Sequence, residues 1–251
     1  MAASGLLRVT SPTKEEKLFI LAEKNVIASL LIDLRKVRSH EMSVMLERGA
    51  HISLFVLSGS RQKCHLKQFC SVASGARIQW WNFTLGGNVE QNLDIAVNGA
   101  SARADVRWIS RAKKKDTQNL VTHVTYVAPK GSGETLMRGV VEDHAVVRSH
   151  GSIDVGRKAH GTETFLSDQI LVLDPTAKAT AVPELKVETN DVKAGHNAAV
   201  SRINPEDLFY LQSRGLSPTE ARSMSIKGFI ANLLQEIDCE EVRELVVGGN
   251  R

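Results

Sequence analysis

Three Gly-Ala pairs recur along the first half of the chain at nearly constant spacing. They lie at Gly49-Ala50, Gly75-Ala76 and Gly99-Ala100, 26 and 24 residues apart. Each precedes an alternating stretch: His51-Ile52-Ser53-Leu54, Arg77-Ile78-Gln79-Trp80 and Ser101-Ala102-Arg103-Ala104. Alternating or apolar runs such as Met42 to Leu46 and Leu93 to Val97 lead into the pairs, so each unit reads strand, tight turn, strand. A repeat near 25 residues suits a β-solenoid, in which each coil buries its inward residues against the coils above and below. It equally suits antiparallel hairpins turning at each Gly-Ala and closing a sandwich or barrel. Periodicity alone leaves both open.

Alternation continues from Leu120 to Val127, with Val121, His123 and Thr125 on one face, then from Arg138 to Arg148 and from Gly151 to Val155. Gly131-Ser132-Gly133 reads as a loop that interrupts it. No helix of more than a few turns is expected between Gly49 and Val187. Near the start, Ser11 to Glu16 reads as the opening of a short helix, and Leu18 to Asp33 fits either helix or strand.

The grammar changes after Ile203. Asn204-Pro205-Glu206-Asp207 places an Asx N-cap, a proline at the first helical position and acids where the helix dipole is positive. Gly215 ends that helix, and Ser217-Pro218-Thr219-Glu220 forms a capping box for the next. Ala221, Met224, Ile226, Phe229, Ile230, Leu233, Leu234 and Ile237 then follow at helical spacing, and Glu240 to Val247 reads as a last short helix. The chain therefore divides into a β domain over 1–203 and a helical region over 204–251. A terminal helix pair on a solenoid has little core of its own to cover, so its apolar face suits a partner as well as its own domain.

The 251 residues are 42% hydrophobic and 24% charged, which excludes disorder as the dominant state. Three cysteines, Cys64, Cys70 and Cys239, make no disulfide framework and point to a reducing compartment. No apolar run approaches the roughly 20 residues of a membrane span, and Met1 to Thr10 has no signal-peptide pattern, so the expected location is the cytoplasm. The net charge of +4 is no nucleic-acid footprint. One local exception is Arg107, Arg111, Lys113, Lys114 and Lys115 beside Trp108, which reads as a solvated turn or, in the alternative, as the polyanion strip of a stand-alone binding module.

No phosphate loop, nucleophile elbow or zinc-protease motif is present. Cys64-His65 with Cys70 has metal-ligand chemistry without a second pair, so buried thiols are the simpler reading. His123, His144, His150 and His160 read as structural histidines of β segments.

From Pro183 to Ile203, through Asp191-Val192-Lys193-Ala194-Gly195-His196-Asn197, the chain closely resembles the signature of the SufB/SufD family, scaffold proteins of the SUF iron-sulfur cluster assembly system. The likeness continues through Asn204-Pro205-Glu206-Asp207-Leu208-Phe209-Tyr210-Leu211-Gln212-Ser213-Arg214-Gly215-Leu216, Glu220-Ala221 and Ile226-Lys227-Gly228-Phe229. Upstream, Arg138-Gly139-Val140-Val141, Gly151-Ser152-Ile153 and Leu171 to Ala177 are also similar to the family. The resemblance implies a right-handed parallel β-helix with a C-terminal α-helical domain, and a non-enzymatic scaffold role. It implies pairing through the β-helix with a SufB-like subunit or with a second copy. It further implies docking of a SufC-like ABC ATPase on the helices, a contact assigned to Phe209, Tyr210, Arg214 and Phe229. A transient iron-sulfur cluster would form at the subunit interface, with His196 as the ligand from this chain. SufB carries a cysteine upstream of this motif and a glutamate after the histidine. This chain has no cysteine between Cys70 and Cys239 and has Asn197 at the second place, which favours the SufD side. Ala194 stands where SufD often has cysteine, and the N-terminal helical region of many family members is not seen.

Overall fold

A computed structural model of the chain describes residues 6–10, 15–59, 63–237 and 239–248. Odd-numbered strands form one eight-stranded sheet: β1 (Leu6–Thr10), β3 (Ile27–Asp33), β5 (His51–Ser58), β7 (Arg77–Leu85), β9 (Arg103–Ala112), β11 (Ser132–Val141), β13 (Thr162–Val172) and β15 (Val192–Arg202). Even-numbered strands form the seven-stranded second sheet: β2 (Glu15–Ala22), β4 (Ser39–Leu46), β6 (Cys64–Val72), β8 (Val89–Val97), β10 (Thr117–Tyr126), β12 (Val146–Val155) and β14 (Lys178–Val187). Every strand pairs in parallel with the strand two places on, as β5 does with β7 and β10 with β12. Strands flanking a Gly-Ala turn therefore lie in opposite sheets. This removes the hairpin alternative and makes the chain a parallel β-solenoid.

The turns explain why periodicity was visible early and faded later. A left-handed residue recurs just before six strands of the eight-stranded sheet, β3 to β13: Asn25, Gly49, Gly75, Ser101, Lys130 and Gly161. Their amides continue the inter-coil ladder, Gly49 N–H to Ser74 C=O, Gly75 N–H to Ala100 C=O and Ser101 N–H to Pro129 C=O. Gly49 and Gly75 serve this conformation, which costs glycine little. The equivalent residue in the third unit is Ser101, 26 residues after Gly75, and not Gly99. Gly99 answers a different need, because a Cβ there would lie 1.9 Å from the Ser74 nitrogen. Later coils lengthen, from 24 residues between the paired Ile27 and His51 to 31 between Ser132 and Glu163, so the interval blurs.

Three sequence expectations change. Residues 11–14 of the expected early helix lie outside the described residues, and Glu15 to Asp33 holds strands β2 and β3. Ser132 and Gly133 open β11 rather than a loop. Gly133 has a φ of 152° and stacks against the Ala104 carbonyl, where a Cβ would collide. Alternation from Arg138 to Arg148 is broken by a turn between β11 and β12.

Inward residues of both sheets make one continuous core, including Leu54, Trp80, Ile95, Trp108, Leu120, Ile153 and Leu166. Outward residues of the eight-stranded sheet are also buried at Leu31, Phe55, Leu57, Trp81, Phe83 and Ile109. These strands therefore read as near-continuous apolar runs, as strands covered on both faces do.

The cover is the helical region: α1 (Pro205–Ser213), α2 (Pro218–Gln235) and α3 (Glu240–Gly248). The caps form as the sequence indicates. The Asn204 side chain accepts from the Glu206 N–H, and Ser217 and Glu220 bond reciprocally. Ile226, Leu233, Ile237 and Val242 then pack on the outward faces of the sheet. The amphipathic face of α2 thus covers its own solenoid, because that sheet carries an apolar outer surface as well as an inner one. No described helix is long and apolar enough to cross a membrane.

Candidate functional site

The solenoid ends on an open coil. β15 pairs with β13 on one side only, and β14 pairs with β12 on one side only. From His196 to Arg202 every residue of β15 is exposed. Val182, Val187 and Val200 are 42%, 40% and 48% exposed, unusual for aliphatic side chains on a parallel sheet. His196 is in register with Leu166, a fully buried core residue on the inward row of β13. Cβ direction alternates along a strand, so His196 stands on the inward row of a coil that has no coil above it. Ala194, Ala198 and Val200 share that row, in register with Thr164, Asp168 and Ile170. Gly195 lets the strand pass the Phe165 ring, which a Cβ would approach to 3.3 Å.

His196 can donate one neutral imidazole nitrogen to a metal. Among the described residues no three His, Cys, Asp or Glu side chains converge as a metal site.

The tail residues fall into two groups. On α1 no side chain is buried, and Phe209 and Tyr210 are 73% and 56% exposed. The Arg214 guanidinium lies 5.2 Å from the Tyr210 ring centroid, a cation-π contact on the open surface. Phe229 is partly buried and packs with Ile226 on Val140, Leu171 and Leu173 of its own solenoid. Met224, at 55% exposure, is the large apolar residue that α2 leaves outward.

Polar clips hold the helices down. Arg222 pairs with Asp174 through two bonds of 3.1 and 2.7 Å. The Arg222 guanidinium holds the Asp174 carboxyl below the usual carboxylate range, helped by the Asp143 N–H. Arg107, nearly buried, donates to Glu236 at the end of α2 and to Glu134 on the neighbouring strand.

Other candidates resolve into structure. Cys64 and Cys70 point into the core while His65 points out and meets Glu90 at 3.1 Å, so the three cannot share a metal. Burial pushes the Cys64 thiol up to about 11 and Cys70 higher still. His123 lies between Asp94 and Asp154, at 3.7 and 3.3 Å, and His150 is 3.4 Å from Glu184. His144 and His160 occupy turns between coils. Within the basic strip, Arg107 and Arg111 are taken by carboxylates, Arg111 by Glu142 at 2.7 Å, and Lys113 to Lys115 form the β9–β10 turn.

Two interior features carried no sequence signal beyond polar residues at inward positions of alternating strands. Gln68, Asn82, Gln91, Ser58 and Thr84 are buried and hydrogen-bonded within and across the two sheets, for example Asn82 Nδ2 on β7 to Gln68 Oε1 on β6 at 3.1 Å. The Trp80 and Trp108 indole N–H groups donate to Asn82 and Thr84. Asp168 is the one buried carboxylate among the described residues, 1% exposed.

The fold is thus a parallel β-solenoid whose last coil, bearing His196, is uncovered and whose outer sheet face is strapped by capped helices. Residues 8–229 match the family described as SUF system FeS cluster assembly, SufBD core domain. The chain belongs to this family. It is 31% identical to the iron-sulfur cluster assembly protein SufD of Bacillus subtilis over 165 residues, 64% of this chain and 37% of that protein. It is 26% identical to SufB of the same organism over 171 residues, 68% of this chain and 37% of that one. An iron-sulfur cluster assembly SufBD family protein of Mycobacterium bovis is 27% identical over 173 residues, 68% of this chain. The chain spans about a fifth of that mycobacterial protein and under two fifths of the Bacillus relatives.

Proposed function

We propose that this chain is a non-enzymatic, SufD-like scaffold subunit for iron-sulfur cluster assembly. It pairs end to end, through the last coil, with a SufB-like chain or a second copy. The observation that carries this reading is the open coil itself. Unpaired strand edges and exposed valines are features that soluble β proteins normally cover or charge. A second solenoid stacked on this end would satisfy both edges, and His196 would then lie inside the seam, beside whatever ligands the partner brings. The cluster is cargo at that seam, and it is not a resident group of this chain.

The ATPase contact falls on α1, whose Phe209 and Tyr210 are largely exposed. An exposed aromatic pair beside an arginine has the composition of an interface hot spot. Phe229 belongs to the layer between α2 and the sheet, packed with Ile226 on Val140, Leu171 and Leu173.

Co-expression with a SufB-like chain and an ABC ATPase tests both contacts. Removing residues 204–251 would uncover Trp81 and Phe83, so point variants are the cleaner probe. Val182→Asp with Val200→Asp is expected to abolish pairing, read by light scattering of the eluted complex. Phe209→Ser with Tyr210→Ser is expected to release the ATPase and leave pairing intact. Retention of both partners by both double variants overturns the reading.

A further inference from the structure

Beneath the open coil lies a charge that the packing alone does not require. Asp168 sits on the inward row of β13, in register with Ala198 of the last coil. Its neighbour two residues back, Leu166, is in register with His196, so Asp168 and His196 are diagonal neighbours on adjacent strands. Strand spacing and rise put their Cα atoms about 8 Å apart. The last coil places only small side chains over this spot, Ala198 above Asp168 and Ala181 above Ser149.

The Asp168 Oδ2 atom is buried and has no hydrogen-bond partner. A void of about 10 Å³, near the size of one water, adjoins it among Trp108, Ser110, Met137, Ser149 and Ile170. Burial pushes the carboxyl up to about 6, against the opposing pull of the Ser149 hydroxyl on β12 and the Arg138 guanidinium on β11. Trp108, Met137 and Ile170 bring no charge, and β15 offers Ala198. Burying a carboxylate is costly unless it is fully paired, so its place one layer below the end face calls for a use.

The geometry points to Asp168 as an electrostatic support for a metal cation held by His196, acting from within the penultimate coil without touching the metal. This rests on the proposed ligand role of His196 and adds a second residue to it. A negative charge at this depth has few solvent dipoles to screen it, so it favours cation binding more than a surface acid at equal distance. The two alanines above it keep the path short.

Cobalt(II), titrated into the full chain and followed by broadening of the His196 ring signals, reads the effect. In Asp168→Asn the dissociation constant is expected to rise about tenfold at pH 7.5. The difference should shrink toward nothing at pH 5, where Asp168 in the parent carries its proton. A purely structural role would not tie the loss to pH. Equal affinities at pH 7.5, or the same ratio at both pH values, overturn the inference. Asp168→Ser provides the same comparison if Asp168→Asn does not fold. In His196→Ala, unchanged cobalt affinity would remove the ligand reading itself, whereas loss there with Asp168→Asn unaffected would remove this inference alone.

Discussion

The Arg107 guanidinium donates to the Glu236 carboxylate at 2.6 Å, joining the middle of β9 to the end of α2 across 129 residues of sequence. The same arginine reaches the Glu134 backbone carbonyl and carboxylate, so one nearly buried side chain spans two coils and the tail. This contact turns an apparent surface cation into part of the seal over Trp81 and Ile109.

Replacing Arg107 with methionine keeps much of the apolar stem and removes the clip. The variant is expected to lose about 2 kcal/mol, the scale of a charge-assisted hydrogen bond at a partly buried site. Urea unfolding measures it. Loosening of the tail should also red-shift emission from Trp81, which the helices cover. An unchanged midpoint and spectrum would show that apolar packing alone holds the tail.

Asp168 governs a pH dependence with a defined sign. Its carboxyl rises from 3.8 to about 6 on folding, so the folded chain binds that proton more tightly than the unfolded one. The stabilisation is fully present below about pH 4 and is lost as pH rises through 6. Asp168→Asn should therefore gain stability over the parent at pH 8, by an order of 1–3 kcal/mol, and little at pH 4. Thermal unfolding at both pH values checks this. A gap that does not widen with pH would count against a buried charged carboxylate.

The Arg222–Asp174 clip has the opposite sign. Arg222 holds the Asp174 carboxyl below its ordinary 3.8, so this contribution is present above that pH and fades as pH falls through the lowered value. Arg222→Ala is expected to cost about 1 kcal/mol at neutral pH, since the pair is partly solvent-screened. The cost should be smaller at pH 2, because the Asp174 charge is lost progressively as pH falls through its lowered value. Differential scanning calorimetry at the two pH values decides it.

Thiol labelling should separate the three cysteines. Cys64 and Cys70 lie in the core with raised thiol pKa values, whereas Cys239 is half-buried beside α3. Iodoacetamide at pH 8 is expected to modify Cys239 first, with the other two reacting only on unfolding. Early modification of Cys64 or Cys70, read by mass spectrometry, would mean that the β6 region opens locally.

Much of this was legible in one dimension. The caps at Asn204 and Ser217, the lysine turn at 113–115 and the inward thiols are local matters, set by a residue's own backbone preference or by strand alternation. The signature from Pro183 to Ile203 located the last coil, and the family match over 8–229 agrees with it. The loop read at Gly131 to Gly133 missed because Gly133 answers to the Ala104 carbonyl on the next coil, a neighbour 29 residues away. Gly99 misled for the same reason, standing two residues before the true turn position at Ser101.

By itself the sequence determined the repeating strand-turn unit, the change to helix after Ile203 and the position of His196, because each depends on side chains a few residues apart. Tertiary structure decided which strands pair, that Trp81, Phe83 and Ile109 are roofed by α2 and α3, and that Asp168 lies buried under Ala198 while His196 stands open. Those outcomes depend on contacts between residues 24 to 129 positions apart. No local preference encodes them; they follow from stacking coils of unequal length and from an apolar outer sheet face that must be covered.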